Sequence, residues 1–529
     1  MIDKPFIPAW SELRPFAPEL WLIGAIIAVL LTPFFTPRKS NWPCAVVTLL
    51  GLMLALIAAL VVGVDQGVVG EHFRGLLVAD QMAVLWKIML LIFSIGILIM
   101  WFSTTAPSMH EGDGPEFFTL LLGATLGMSL MACTSNLLMI FMAVELASLP
   151  SYVLAGFRKT HRVGAEASLK YVLFGAATSA VMVYGLSVLY GLYGTLQVDE
   201  LAAGMTQASA SPALLSVAVF GLIVGIGFKI SAVPFHFWCP DVFEGAGIDV
   251  AAFLSVASKG AGLLLLLRVL TIIADAAGYQ NVPGISLSAI AIIVGVLGSI
   301  TATVGNTAAF VQNNIKRLLA YSSIAHAGYM LCALSLLVHN RSTPAELPGA
   351  TAQAILLYLA VYLFMNLGAF TVAGLIWRQT GSENIQDYDD LGRRSPLLAA
   401  CMTVFMFSLV GLPPFAGFVA KLNLMYVLGA NSGWWWALVA VIGLNTIFSL
   451  YYYARVVRVM YLVPSDKPPF VPNPLGLAMA TLCAAMLILM LIGYGPLGRI
   501  TSEYGKIYTG SGSSPAATAA LRLANGQPP

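Results

Sequence analysis

The chain has 529 residues, 59% of them hydrophobic and 9% charged, against roughly 25% charged in a soluble domain. A soluble fold of this length cannot bury so much apolar surface, so its solvent is a bilayer. The formal net charge of +2, without a long basic run, excludes a nucleic-acid-binding protein.

The first twenty residues show no cleavable signal pattern, so the first apolar segment is expected to be retained. A helix needs about 20 apolar residues to cross the hydrocarbon core. Fourteen segments of that kind follow in chain order: α1 (18–36), α2 (43–63), α3 (80–103), α4 (115–133), α5 (136–156), α6 (167–193), α7 (212–236), α8 (248–272), α9 (284–304), α10 (318–338), α11 (351–378), α12 (396–429), α13 (434–461) and α14 (474–495). The reading is therefore an all-α, polytopic membrane protein. α12 is too long for one straight span and contains Gly411, Leu412, Pro413 and Pro414; two prolines remove two backbone donors, so the helix is expected to break in mid-membrane. α7 ends in Pro234, followed by Pro240. From Thr501 the chain turns small, polar and Pro/Gly-rich, and it reads as a mobile tail without chemistry of its own.

Cys44, Cys133, Cys239, Cys332, Cys401 and Cys483 are scattered with no CxxC pair. That spacing excludes a zinc or iron–sulfur cluster held by this chain alone, and it gives no disulfide framework. If the amino terminus faces outward, fourteen Lys and Arg fall on inner loops and helix ends, Arg38, Lys39, Arg158, Lys159 and Arg393 among them, against seven outside. That asymmetry puts both termini outside, although the inner loop at Glu111, Asp113 and Glu116 is acidic.

Four charges lie near mid-membrane. Glu145 is in α5, Lys229 in α7, Lys259 in α8 and Lys421 in α12, each about ten residues, or about 15 Å, from a helix end. A charge there costs several kcal/mol, so each should face protein or water with a partner. One such residue alone could serve as a structural ion pair or a snorkelling lysine; four together point to a proton relay. Desolvation opposes the ammonium form and a nearby carboxylate favours it, so moving Glu145 relative to Lys229 would switch the lysine between holding and releasing a proton. Lys87 and Arg268 lie within snorkelling reach of their helix ends, beside Asp80 and Asp275. His326 in α10 is a possible relay member or a hydrogen-bonded core histidine, and His236 is the weaker candidate. No two histidines share a helix at a spacing suited to haem or metal.

Interrupted helices in corresponding positions of two halves mark inverted-repeat transporters. The halves are α4–α8 and α9–α13, and the fourth helix of each carries proline and lysine: Pro234 with Lys229, and Pro413 and Pro414 with Lys421. The expected organisation is 1–110 (α1–α3), 111–275 (first repeat), 276–463 (second repeat), 464–500 (α14) and 501–529 (tail).

Four stretches, GFKISAVPFHFWCPDVFEG (227–245), VAAFLSVASKGAG (250–262), QNNIKRLLAYSSIAHAGY (312–329) and GLPPFAGFVAKLNLMYVL (411–428), resemble the antiporter-like membrane subunits of bacterial NADH:quinone oxidoreductase (respiratory complex I). The resemblance implies that Glu145 is the acid of helix 5, Lys229 its helix-7 partner, Lys259 the bridging lysine and Lys421 the terminal one. It favours the N-type, because the M-type has glutamate where Lys421 stands and the L-type is longer. Departures at Ala246, Gly247, Ile248 and Asp249, and at Cys239 and Phe243, concern the loop that starts α8. The resemblance further implies no cofactor in this chain, with FMN, iron–sulfur clusters and quinone on partner subunits. It implies as partners the other membrane-arm subunits, M-type and small ones included, in the bacterial inner membrane. A D-type subunit of a multisubunit cation/proton antiporter and a non-transporting scaffold are the competing readings.

Overall fold

The computed structural model describes residues 8–36, 40–64, 69–104, 113–158, 162–207, 211–276, 286–338, 347–431 and 433–508. Arg38, Lys39, Lys159 and Glu111 of the inner-loop reading, and the tail beyond Tyr508, lie outside them.

Thirteen helices among the described residues are long and apolar enough to span a membrane. They are α1 (Trp10–Phe34), α2 (Trp42–Val64), α3 (Gln81–Thr104), α4 (Gly114–Met131), α5 (Leu137–Ala155), α6 (Arg162–Tyr193), α7 (Pro212–Ile230), α8 (Ile248–Asp275), α9 (Leu287–Ala309), α10 (Ile315–Val338), α11 (Pro348–Thr380), α13 (Trp435–Leu462) and α14 (Pro474–Ile492). Two shorter apolar helices, Pro396–Val410 and Ala416–Gly429, are the halves of α12 and complete the fourteen. α8, α10 and α11 are buried almost throughout and form the centre, while α6, α13 and α14 turn most of their side chains outward. Lipid offers no hydrophobic drive between helices, so close packing depends on small residues. A Cβ on Gly328 of α10 would meet the backbone nitrogen of Ala302 in α9 at 2.4 Å, and one on Gly127 of α4 would meet that of Ala147 in α5 at 2.3 Å.

One construction occurs twice. Asn136 caps α5 by accepting from Leu138 N and Met139 N at 3.0 and 3.2 Å, and it pairs in an antiparallel bridge with Gln197 beyond α6. Asn314 caps α10 by accepting from Lys316 N and Arg317 N at 2.8 and 3.2 Å, and bridges to Asn384 beyond α11. Five helices separate the two motifs, an odd number, so the second runs opposite to the first.

The breaks match as well. α7 stops at Ile230 rather than near 236; Ser231 takes positive φ, and Ala232 N returns to Gly227 O at 2.8 Å. The chain becomes helical again at Trp238–Gly245. α12 stops at Val410, Gly411 takes positive φ, and Leu412 N returns to Phe407 O at 3.1 Å. Both stops are left-handed caps, followed by prolines that cannot donate to the helix behind them.

Ion pairs tie one face of the bundle. Arg317 reaches Asp241 and Glu244 at 2.8 and 2.6 Å, Lys170 reaches Asp241 and Glu166, and Lys316 pairs with Glu383 at 2.6 Å. On the same face Lys467 bridges Asp387 and Asp389. Burial alone would raise the Asp389 carboxyl, but the Lys467 ammonium and the Ser465 hydroxyl outweigh it and hold it below the usual carboxylate range. At the other face a short hairpin, β1 (Gly70–His72) with β2 (Leu77–Ala79), precedes α3. A last helix, Tyr494–Glu503, runs across the expected start of the tail. Thr501 is buried, and Gln353 Nε2 donates to Gly498 O at 3.0 Å. The ordered, packed chain therefore extends past 501, because this helix has a partner in α11.

Candidate functional site

The charged residues of the bundle interior are placed by the two breaks and by a widened turn in α8. Lys229 is 1% exposed, and its ammonium has no hydrogen-bond partner among the described residues. The Glu145 carboxylate is the charge that acts on it. Glu145 itself is half-buried and accepts from the Ser179 hydroxyl of α6, and no hydrogen bond joins it to Lys229. The break behind Lys229 is satisfied from the other repeat: Val233 N donates to Thr301 Oγ1 of α9 at 3.0 Å.

Lys229 is backed by α8, where a Cβ on Gly262 would stand 3.3 Å from Lys229 Cβ. One turn earlier α8 widens into a π-helical turn, Leu254–Ser258, directly before Lys259. Such turns concentrate at functional sites because they redirect the next side chain. Lys259 Nζ lies 3.4 Å from Cys239 Sγ and 5.8 Å from the Phe243 ring centre. Cys239 and Phe243, two of the residues that depart from the usual pattern, thus both line this lysine.

His326 is wholly interior. Its Nδ1 is 2.5 Å from Tyr358 Oη and its Nε2 is 3.4 Å from Tyr453 Oη, and Tyr453 is bonded in turn to Ser322. Sequence reasoning found this histidine but not its tyrosines, which come from α11 and α13. His236 is buried in the α7 break, and its Nδ1 has no partner among the described residues.

Lys421 is 4% exposed and donates to Leu409 O and Val410 O at 3.0 and 2.8 Å. In an unbroken helix those two carbonyls would accept from residues 413 and 414, which are the prolines. The lysine therefore fills the two positions that the prolines leave open. Its stem lies against Gly411, where a Cβ would come within 2.9 Å of Lys421 Cδ; together with a φ of +84° this calls for glycine. The Nζ also sits 4.8 Å from the Tyr329 ring centre, and Tyr329 receives a bond from Asn306 Nδ2 at 2.8 Å.

The two lysines do not occupy matching positions: Lys229 stands two residues before its left-handed cap and Lys421 ten residues after its own. The position matching Lys229 is Leu409, whose carbonyl Lys421 reaches. The position matching Glu145, nine residues past the capping asparagine, is Ser323. Neither Lys87 nor Arg268 snorkels. Lys87 is paired with Glu19 at 2.9 Å and Arg268 with Asp80 at 2.7 Å, all four buried. The sequence signal for these pairs was weak, because each partner comes from a distant helix. Among the described residues, no group of three His, Cys, Asp or Glu is placed to hold a metal ion.

The family model for the transmembrane part of NADH:quinone oxidoreductase and Mrp antiporters matches residues 134–448, which span both breaks and all of the central lysines. The chain belongs to this family. It is 39% identical to NADH-quinone oxidoreductase subunit N 2 of Sorangium cellulosum over 510 residues, covering 92% of this chain and 96% of that protein. It is 40% identical to NADH-quinone oxidoreductase subunit N of Anaeromyxobacter sp. over 491 residues, covering 88% and 92%. A chain of respiratory complex I from Thermus thermophilus has the same fold, with a TM-score of 0.73 at 30% identity over 92% of this chain and 99% of that one. A chain of the Mrp complex from Dietzia sp. shares the fold alone, with a TM-score of 0.77 at 19% identity over 94% and 97%.

Proposed function

We propose that this chain is the N-type proton-translocating membrane subunit of a respiratory NADH:quinone oxidoreductase, moving protons through its own buried side chains. The observation that carries the reading is the row of interior groups running from the Glu145–Lys229 site through Lys259 and His326 to Lys421, with a broken helix at each end. Each of these lysines is buried, where desolvation opposes a permanent charge.

Glu145 and Lys229 are close enough to sense each other and not bonded, which suits a pair that opens and closes. Lys259 bridges the halves, His326 relays, and Lys421 is the terminal donor, held by the break carbonyls until it discharges. FMN, iron–sulfur clusters and quinone belong to partner subunits, with the M-type and small membrane subunits as neighbours. The subunit sits in the bacterial inner membrane with both termini outside. Its repeats, 111–275 and 276–463, each supply one half of the path, beside α1–α3 (1–110) and α14 (464–500).

The test is removal of this chain and, separately, Lys259→Met. NADH-driven acid uptake is followed in sealed inverted vesicles, with assembly checked on native gels. Loss of uptake in both, with Lys259→Met assembled, is the expected result. If removal leaves NADH oxidation and acid uptake intact but abolishes sodium-dependent proton exchange, the chain is an antiporter subunit. If Lys259→Met pumps normally, it is a scaffold.

A further inference from the structure

A second group of buried charges lies where the first helices meet α8. α1 contributes Glu19, α3 contributes Lys87 with Asp80 just before it, and α8 contributes Arg268; none is more than 4% exposed. They form two pairs of different character.

Asp80 and Arg268 meet at 2.7 and 2.9 Å. Arg268 also donates twice to Ala132 O at 3.0 and 2.7 Å, and Asp80 accepts from Ala83 N and Tyr508 N at 2.9 and 3.1 Å. A guanidinium does not shed its proton, and Asp80 accepts on both oxygens. This pair is a fixed clamp across α3, the end of α4, α8 and the segment after the last helix.

Glu19 and Lys87 are built otherwise. Glu19 Oε1 lies 2.9 Å from Lys87 Nζ and accepts from Ser129 Oγ at 2.5 Å, while Oε2 has no partner among the described residues. Both groups can gain or lose a proton, and one buried carboxyl oxygen is left free to take it. Phe16, 5.0 Å from Lys87 Nζ, packs on His72 and Phe73 and forms an aromatic layer over the pair. On the inward side the residue preceding Lys87, Trp86, lies directly on α8. A Cβ on Gly260, the residue after Lys259, would come within 2.3 Å of its ring. The α3 turn that carries Lys87 therefore packs on the α8 turn that carries Lys259.

We propose that Glu19 and Lys87 are a further proton-exchanging pair, built on α1 and α3 outside the two repeats, which takes up and releases protons beneath the aromatic layer of Phe16, His72 and Phe73. The inference rests on the proton-moving reading above. A proton passes from the Lys87 ammonium to the Glu19 carboxylate, leaving a neutral pair. Lys87 is then free to accept the next proton, and Glu19 returns to the carboxylate when it releases its own.

The experiment uses the whole complex in sealed inverted vesicles, with protons moved per NADH oxidised as the readout. Lys87→Arg keeps the charge and the bond to Glu19 but cannot discharge; Glu19→Gln keeps the shape and the Ser129 bond but cannot protonate. The expected result is an assembled complex whose ratio falls to that of Lys259→Met in both variants. A structural pair predicts that Lys87→Arg restores the wild-type ratio. Lys87→Arg at the wild-type ratio while Lys259→Met is reduced overturns the pair and leaves the proton-moving reading standing. All three at the wild-type ratio overturns that reading itself. If Lys87→Arg does not assemble, Glu19→Gln decides on the same readout. Loss of assembly in both, with a normal ratio in the residual complex, marks a structural pair and overturns the proposal.

Discussion

Lys421→Arg isolates proton release at the second break. The ammonium makes two hydrogen bonds, to Leu409 O and Val410 O, the carbonyls that Pro413 and Pro414 cannot serve. Lys421→Met removes the titrating group and also both bonds. Leaving two buried carbonyls unmet costs about 1–3 kcal/mol each, about 2–6 kcal/mol together, so a defect in that variant mixes lost chemistry with a loosened break. Lys421→Arg keeps donors for both carbonyls and holds its proton. About five pH units separate a guanidinium from neutrality, about 7 kcal/mol or about 10⁵-fold in the discharged population. The complex should assemble and oxidise NADH, with fewer protons moved per NADH. Quenching of a ΔpH dye in inverted vesicles, set against oxidation followed at 340 nm, measures the ratio. A wild-type ratio in assembled Lys421→Arg refutes release at this residue, and a Lys421→Met complex that melts no lower than Lys421→Arg refutes the capping account.

Three further outcomes follow from the geometry. Glu145→Gln, which removes the charge acting on Lys229, should leave the complex assembled with fewer protons per NADH, read in the same vesicles; an unchanged ratio would remove Glu145 from the path. Thr301→Val deletes the acceptor of Val233 N in the α7 break. It should lower the melting temperature of the purified complex through about 1–3 kcal/mol of lost stability, and an unchanged melt would mean that the break does not depend on α9. Gly260→Leu drives a side chain into Trp86, already within 2.3 Å of a Cβ at that position. Overpacking costs about 1–3 kcal/mol or more, so native gels should show less assembled complex, with free subunit accumulating.

Membrane class, the fourteen spans and the α12 break were legible in the sequence, because each depends on a local property: the length of an apolar run, or the missing donor of a proline. The same holds for the central lysines, whose depth follows from counting 1.5 Å per residue. The α7 break was less legible, because Pro234 lies beyond the point where the helix stops and the cap is a serine in the left-handed region. The different placement of the two lysines about their breaks was not legible for a related reason. A lysine side chain spans more than a helical turn, so Lys421 delivers its ammonium to the level of Leu409 from the other side of the gap.

What the sequence by itself determined, then, was which polar groups lie inside the membrane. What the tertiary structure decided was their company. Lys87 reads as a snorkelling lysine until α1 brings Glu19 to it, and Arg268 as an interfacial cation until Asp80 and Ala132 enclose it. His326 is an isolated histidine until Tyr358 and Tyr453 arrive from two other helices. The cost of a charge in lipid is a property of one residue and its depth, which a linear pattern records. The partner that offsets this cost sits up to 188 positions away in the chain, and only the packing of the helices brings it within bonding distance.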